Sequence, residues 1–319
     1  MKAGRIHRFG PPEVVVVDEI ARPMPGEGEL VVATAAAGVG PWDALIRERK
    51  SVVNVELPLI LGSDVAGIVA AVGAGVAGFR EGDAVYGVTN RNFCGGYAEY
   101  AVVTAGMVAA KPKSLDYAAA ASAPVVAVTA WQMLFEYAGL KAGQSVLIHG
   151  AAGNVGAYAV QLARRAGLEV FATAGPEDRE YVRRLGAARV IDYRSERFED
   201  GVGRVDAVMD LVGGETQQRS FGVLKPGGIL VSVVSPFPEN GVRTDGLRSV
   251  FFLVDVTTAR LNTLTEMFDG GGLTAAVGTV LPLEEARRAH EMLAGVPHER
   301  GKIVLRMPAF GEAARGGRG

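Results

Sequence analysis

The chain of 319 residues is 49% hydrophobic and 21% charged, and its 33 basic against 35 acidic side chains leave a formal net charge of −2. At ~150 residues per domain this length suits two domains with a sizeable core, and the charge balance gives no electrostatic reason to expect nucleic acid or an anionic membrane as partner. Glycine takes 43 positions against 15 prolines, without a short repeat, which excludes collagen and solenoids and points to many tight turns.

The first third reads as short strands. Residues 14–17, 30–33, 65–69, 83–88 and 99–103 are β-rich runs, and turn clusters such as 23–28 separate them, which predicts a barrel-like β domain. The single cysteine, Cys94, excludes an intramolecular disulfide and suits a reducing cytoplasm. Residues 1–8 hold no apolar stretch of secretory-signal length. Residues 117–135 carry no charge and approach spanning length, but Ser122, Pro124, Thr129 and Gln132 within an alanine-rich run mark a buried segment rather than a membrane helix.

Near residue 120 the pattern changes. Apolar strands at 145–149, 169–173, 189–191, 206–211, 228–234 and 250–255 alternate with helical stretches, the pattern of βαβ units. Six such strands suit a doubly wound parallel sheet that binds a dinucleotide. Helices are then expected at 259–268 and 283–293, with a last strand at 302–306. The resulting fold class is α/β: a β domain of residues 1–122 and 257–319, interrupted by a parallel-sheet domain of residues 123–256. Residues 311–319 are expected as a loose end.

The chemistry concentrates in residues 145–156, SVLIHGAAGNVG. An apolar strand runs into Gly150, Gly153 and Gly156, and Val155, Ala159, Leu162, Ala163 and Ala166 follow on one helical face. Glycines there permit a tight turn and a close approach to a pyrophosphate, which meets the free N–H groups of the helix start. A packing turn without ligand is the plain alternative, and the six-strand context outweighs it. NAD sites place an acid about 20 residues beyond the glycines to accept from the ribose 2′-OH. Residues 171–175, FATAG, contain none, while Arg179 and Tyr193 offer a cation and a hydroxyl. Arg179 alone suits a solvated helix almost equally; together these features favour NADPH over NADH.

No metal constellation is evident: His7, His149, His290 and His298 are scattered, and one cysteine cannot build a zinc site. His149 reads as a packed histidine, Cys94 as a small hydrophobe and Asp210 as a turn cap.

Stretches 38–43 (GVGPWD), 62–69 (GSDVAGIV), 82–87 (GDAVYG), 95–100 (GGYAEY), the glycine motif, 224–228 (LKPGG) and 301–305 (GKIVL) occur in an order that resembles the medium-chain dehydrogenase/reductase superfamily. The likeness is to its zinc-free quinone oxidoreductase and enoyl reductase branch and covers nearly the whole chain. It implies a GroES-like β-barrel domain plus an inserted six-stranded Rossmann sheet. It also implies hydride transfer from NADPH to a small conjugated carbonyl or a quinone, in the cytoplasm. Zinc-dependent relatives place Cys near Gly40 and a His–Glu pair after Gly62, where this chain has Gly40, Ser63 and Asp64.

By resemblance, Gly150, Gly153, Asn154, Val155 and Gly156 hold the pyrophosphate, and Thr173, Arg179 and Tyr193 the 2′-phosphate end. Thr129, Val233, the loop carrying Phe252 and Val254, and Lys302 fall beside the nicotinamide half, each with core packing as its alternative. Gly40, Trp42 and Phe93 flank an apolar substrate cleft. Two departures concern the chemistry: Gly40 replaces a frequent Asn, and no Tyr lies between Ala44 and Pro58 to donate a proton. Tyr86, Arg47 and Lys50 are the remaining candidates, with packing or surface roles as alternatives; otherwise water protonates the product. A non-catalytic NADPH-binding protein on the same scaffold is the rival reading. The apolar strand 250–255 is expected at the sheet edge, pairing two copies into a homodimer.

Overall fold

Strand Glu29–Val39 is apolar through most of its length because neighbours cover both its faces and both its edges. The computed structural model describes residues 1–237, 241–242, 245–308 and 310, so the expected loose end at 311–319 lies outside the described residues. Along one edge, Glu29–Val39 pairs antiparallel with Asp64–Val72; along the other it meets Tyr100–Thr104 and then Lys302–Arg306. Strands Ala84–Val88, Val108–Ala110 and Val277–Pro282 complete this sheet, and a smaller one joins Lys2–Ile6, Val15–Glu19 and Leu59–Ile60. Their inward side chains, among them Ile6, Leu30, Val32, Val65, Val103, Ile303 and Leu305, form one core. These elements make up a unit of Met1–Val125 with Val256–Gly319. The division falls after Val125 rather than after residue 122.

The second unit, Val126–Asp255, is built on a parallel sheet. Its strands lie in the order Arg189–Asp192, Glu169–Ala174, Ser145–Ile148, Val205–Asp210, Leu224–Ser232, Arg248–Phe251, and then Gly241–Val242. The first six are mutually parallel. The order turns back at Ser145–Ile148, whose carboxyl end feeds the glycine turn, and a doubly wound sheet binds ligands at that crevice. Together the two units are the α/β combination of a GroES-like domain and a Rossmann-like parallel sheet.

The sheet corrects one expectation. Residues 252–255 are not strand, and Gly241–Val242 pairs antiparallel with Arg248–Phe251 on its outer side. The strand expected at the edge therefore has a neighbour, and 250–255 is not the open edge through which two copies were expected to pair.

The uncharged stretch 117–135 folds as helix Tyr117–Ala121, capped by the Asp116 carboxylate accepting from the Ala119 N–H at 2.8 Å, and helix Pro124–Trp131. Ala120, Ala121 and residues 125–128 are buried. Among the described residues no helix is long and apolar enough to cross a membrane.

Candidate functional site

Strand Ser145–Ile148 is buried throughout, which fixes where the glycine turn begins. Gly150 has φ +64°, the left-handed region that a side chain disfavours. The Gly153 N–H donates to the Gly150 carbonyl at 3.0 Å, and Gly153 starts helix Asn154–Arg165 without any side-chain cap. The first intrahelical bond runs from the Ala157 N–H to the Gly153 carbonyl, so the N–H groups of Asn154, Val155 and Gly156 have no acceptor within the helix. A Cβ on Gly156 would fall on the Gly150 carbonyl and the Ala151 backbone, so glycine is required there for helix and turn to touch. This uncapped glycine cradle fits a dinucleotide pyrophosphate.

Two buried side chains brace the cradle. His149 Nδ1 lies 3.1 Å from the Thr173 hydroxyl and Nε2 lies 3.0 Å from that of Ser220, while the Thr173 carbonyl accepts the Ala151 N–H at 3.1 Å. Burial pulls the His149 pKa down to about 4, so the ring is neutral at pH 7. Asp210 accepts from the N–H groups of Val212 (3.0 Å) and Gly213 (2.8 Å), from Gln217 Nε2 (3.0 Å) and from the Ser232 hydroxyl (2.8 Å). It thereby ties the loops after two adjacent strands together, a larger task than a turn cap.

The residues expected at the 2′-phosphate end gather at the carboxyl ends of Glu169–Ala174 and Arg189–Asp192, where Ala174 stands opposite Asp192. Thr173 is buried; Tyr193 is 60% exposed; Arg179 is exposed and donates to Glu196 at 2.8 Å. Arg194 lies over the Tyr193 ring at 5.6 Å.

At the neighbouring strand ends the residues lie at different depths. Phe252 is buried with its ring 4.2 Å from that of Tyr137, whereas Leu253 beside it is 61% exposed. Val233 and Val254 are half-buried, and Thr129 is buried within helix Pro124–Trp131. Val212 and Val234, unforeseen, stand 51% and 49% exposed on the loops that Asp210 fixes. Alternation of side chains in a loop leaving a strand decides which of two adjacent residues faces out, and a sequence pattern does not count that step.

Lys302 belongs to the first unit and is not free. Its ammonium lies 3.0 Å from Asp64 Oδ2 and 4.0 Å from the centre of the Trp42 ring, and both charged side chains are buried. Asp64 Oδ1 accepts the Val125 N–H at 3.0 Å. Burial pushes the Asp64 carboxyl up, and the Lys302 charge pulls against it. The Trp42 indole N–H donates to the Ser63 hydroxyl at 3.0 Å, and a Cβ on Gly40 would fall on the same indole. At the three positions where zinc-dependent relatives carry ligands, the chain thus offers no side chain, a hydroxyl bound to an indole and a carboxylate bound to an ammonium. These residues do not fit a zinc ion, and among the described residues no group of three His, Cys, Asp or Glu side chains is placed to hold a metal.

Next to this pair, Asp43 opens helix Pro41–Arg47. Its Oδ2 accepts the Gly40 N–H at 2.9 Å and the Tyr97 hydroxyl at 2.8 Å. Burial pushes the Asp43 carboxyl up to about 7 against those two hydrogen bonds.

The three proton-donor candidates have other duties. The Tyr86 hydroxyl is buried, donates to the Leu261 carbonyl at 2.8 Å and accepts from Thr265 at 3.0 Å; burial drives its pKa up. Arg47 is buried and donates to the Gly10 carbonyl at 2.9 Å, to His290 Nδ1 at 2.8 Å and to Glu48. Lys50 is exposed and pairs with Glu48 at 2.8 Å. Phe93, at φ 53°, is half-buried and packs against the first unit's core. Burial raises the Cys94 thiol, which keeps it protonated and unreactive.

Residues 26–113 match the family model described as an alcohol dehydrogenase GroES-like domain, and residues 185–305 that of a zinc-binding dehydrogenase. The quinone oxidoreductase of Sus scrofa is 33% identical, with 96% of this chain and 97% of that protein covered. That of Homo sapiens is 31% identical with the same coverage. The solved quinone oxidoreductase from Coxiella burnetii aligns with a TM-score of 0.88 at 32% identity, over 97% of this chain and 99% of that one. The Escherichia coli quinone oxidoreductase complexed with NADPH aligns with a TM-score of 0.84 at 27% identity, over 96% and 100%.

Proposed function

We propose, since this chain is an oxidoreductase belonging to the medium-chain dehydrogenase/reductase superfamily in its quinone oxidoreductase branch, that it reduces conjugated carbonyl compounds with NADPH. Quinones, enones and enoyl thioesters are the substrate class. The observation that carries this reading is the glycine turn Gly150–Gly153–Gly156 opening onto an uncapped helix N-terminus. When bound, the reduced nicotinamide supplies the hydride.

The chain's own part is binding and orientation. Gly150, Gly153, Asn154, Val155 and Gly156 hold the pyrophosphate through backbone N–H groups. Thr173, Arg179 and Tyr193 frame the adenosine end, and Thr129, Val233, Leu253 and Val254 the nicotinamide half, with Phe252 packed on the Tyr137 ring. Gly40, Trp42 and Phe93 wall the substrate. Hydride addition needs positioning more than acid–base help, and a conjugated oxygen spreads the developing charge without a metal. Tyr86 and Arg47 are committed to internal partners, so water supplies the proton.

Loss of NADPH absorbance is the test, run against a panel of quinones, enones and enoyl thioesters. Turnover with at least one class is expected. NADPH binding without turnover across the panel leaves a dinucleotide-binding protein, and no binding at all overturns the reading.

A further inference from the structure

The stretch 171–175 contains no acid, so the sequence leaves the ribose end of the site without a carboxylate. The fold brings one there from further along. The 3-10 turn Pro176–Asp178 follows strand Glu169–Ala174 directly, with the Asp178 N–H on the Gly175 carbonyl at 3.0 Å. A Cβ placed on Gly175 would stand 2.8 Å from both carboxylate oxygens of Glu177. The Glu177 carboxylate therefore occupies the place where the side chain of an acid at the strand end would begin. Arg194 fixes it with two N–H···O bonds of 2.7 and 3.1 Å, and the Arg194 backbone N–H is anchored on Asp192 Oδ1 at 3.0 Å.

The cations of this corner are already engaged. Arg179 donates to Glu196 at 2.8 Å, and the same Glu196 oxygen accepts the Asp192 N–H at 3.2 Å. Arg179 shares Glu196 with Arg189, 4.0 Å away, and Arg194 is paired with Glu177. Both pairs are about half exposed, so a 2′-phosphate, carrying close to two negative charges, can reach the remaining guanidinium N–H groups but has to settle beside the Glu177 carboxylate. A 2′-hydroxyl has only to donate to Glu177.

We infer that Glu177 is a specificity-determining residue that accepts the ribose 2′-hydroxyl of NADH, so that this protein takes NADH as well as NADPH. The inference rests on the dinucleotide reading above and extends it. Glu177 reads the hydroxyl, and Arg194 offers its remaining N–H groups to the phosphate; one exposed ion pair serves both cofactors.

Isothermal titration calorimetry of the whole protein with NADH and with NADPH, without substrate, tests this. The NADH dissociation constant is expected within about tenfold of that for NADPH, about 1.4 kcal/mol. Glu177→Gln weakens NADH by about tenfold and spares NADPH, whereas Arg194→Met weakens NADPH more than NADH. A preference of the unaltered protein for NADPH beyond a hundredfold overturns the inference. So does an equal change for both cofactors in Glu177→Gln, which is what a merely loop-shaping ion pair produces. Failure to bind either dinucleotide overturns the parent reading and this inference with it.

Discussion

The Lys302 ammonium and the Asp64 carboxylate face each other at 3.0 Å with neither side chain more than 1% exposed. A pair at such depth gains little over an apolar pair of the same volume, yet either member alone is a buried, uncompensated charge. Lys302→Met is therefore expected to destabilise the protein by about 3–5 kcal/mol in chemical denaturation. Lys302→Met combined with Asp64→Leu recovers most of that loss. A double variant as unstable as the sum of the two singles would show that the pair is not coupled.

Asp43 gives a pH signature. Its carboxyl is raised from 3.8 to about 7 by burial, so between those values the folded state keeps a proton that the unfolded chain releases. Stability from this group consequently falls as pH rises through that window, by about 4 kcal/mol in all. Asp43→Asn removes the slope. The difference in melting temperature between variant and unaltered protein should favour the variant progressively from pH 4 to pH 8, and a flat difference would refute the assignment.

Gly156→Ala addresses the cradle. The added methyl lands on the Gly150 carbonyl, and the turn has to open to receive it. NADPH affinity is expected to fall at least about tenfold, about 1.4 kcal/mol, with circular dichroism unchanged. Undiminished affinity in calorimetry would mean that the pyrophosphate lies elsewhere.

Tyr86→Phe separates structure from chemistry. The hydroxyl is spent on Leu261 and Thr265 within the first unit, so its loss should cost about 1 kcal/mol of stability. Turnover with NADPH is expected to stay within about twofold, which is about 0.4 kcal/mol. A loss of a hundredfold in kcat would restore Tyr86 as proton donor.

Much of the fold could be read from local pattern. The strand around Val146, the glycine spacing from Gly150 to Gly156 and the helix face of Ala159 and Leu162 are adjacent in sequence, so periodicity and turn chemistry suffice. What escaped depends on contacts between distant segments. His149 meets Ser220, Asp43 meets Tyr97, and Lys302 meets Asp64; no spacing rule reports such pairs. Glu177 escaped for a subtler reason. It stands two residues past Gly175, yet its carboxylate lies 2.8 Å from where a Gly175 Cβ would be, a side-chain return that spacing does not report. At Phe252 and Leu253 the right loop was legible, but not which neighbour points outward.

The pairing of Lys302–Arg306 with the far end of Glu29–Val39, Ile303 opposite Val39 and Arg306 opposite Ala36, sets an order of events during synthesis. Residues 126–255 hold all the strands of their own sheet and can close while the rest is still being made. The first unit has to wait for one of its last segments. Until residue 302 emerges, the stretch Ala36, Ala37, Gly38 and Val39 presents a bare backbone edge flanked by apolar side chains, a template for mispairing with other chains. A nascent chain stopped before that residue would carry a finished parallel sheet and an incomplete first unit, and chaperone dependence should be concentrated in that interval.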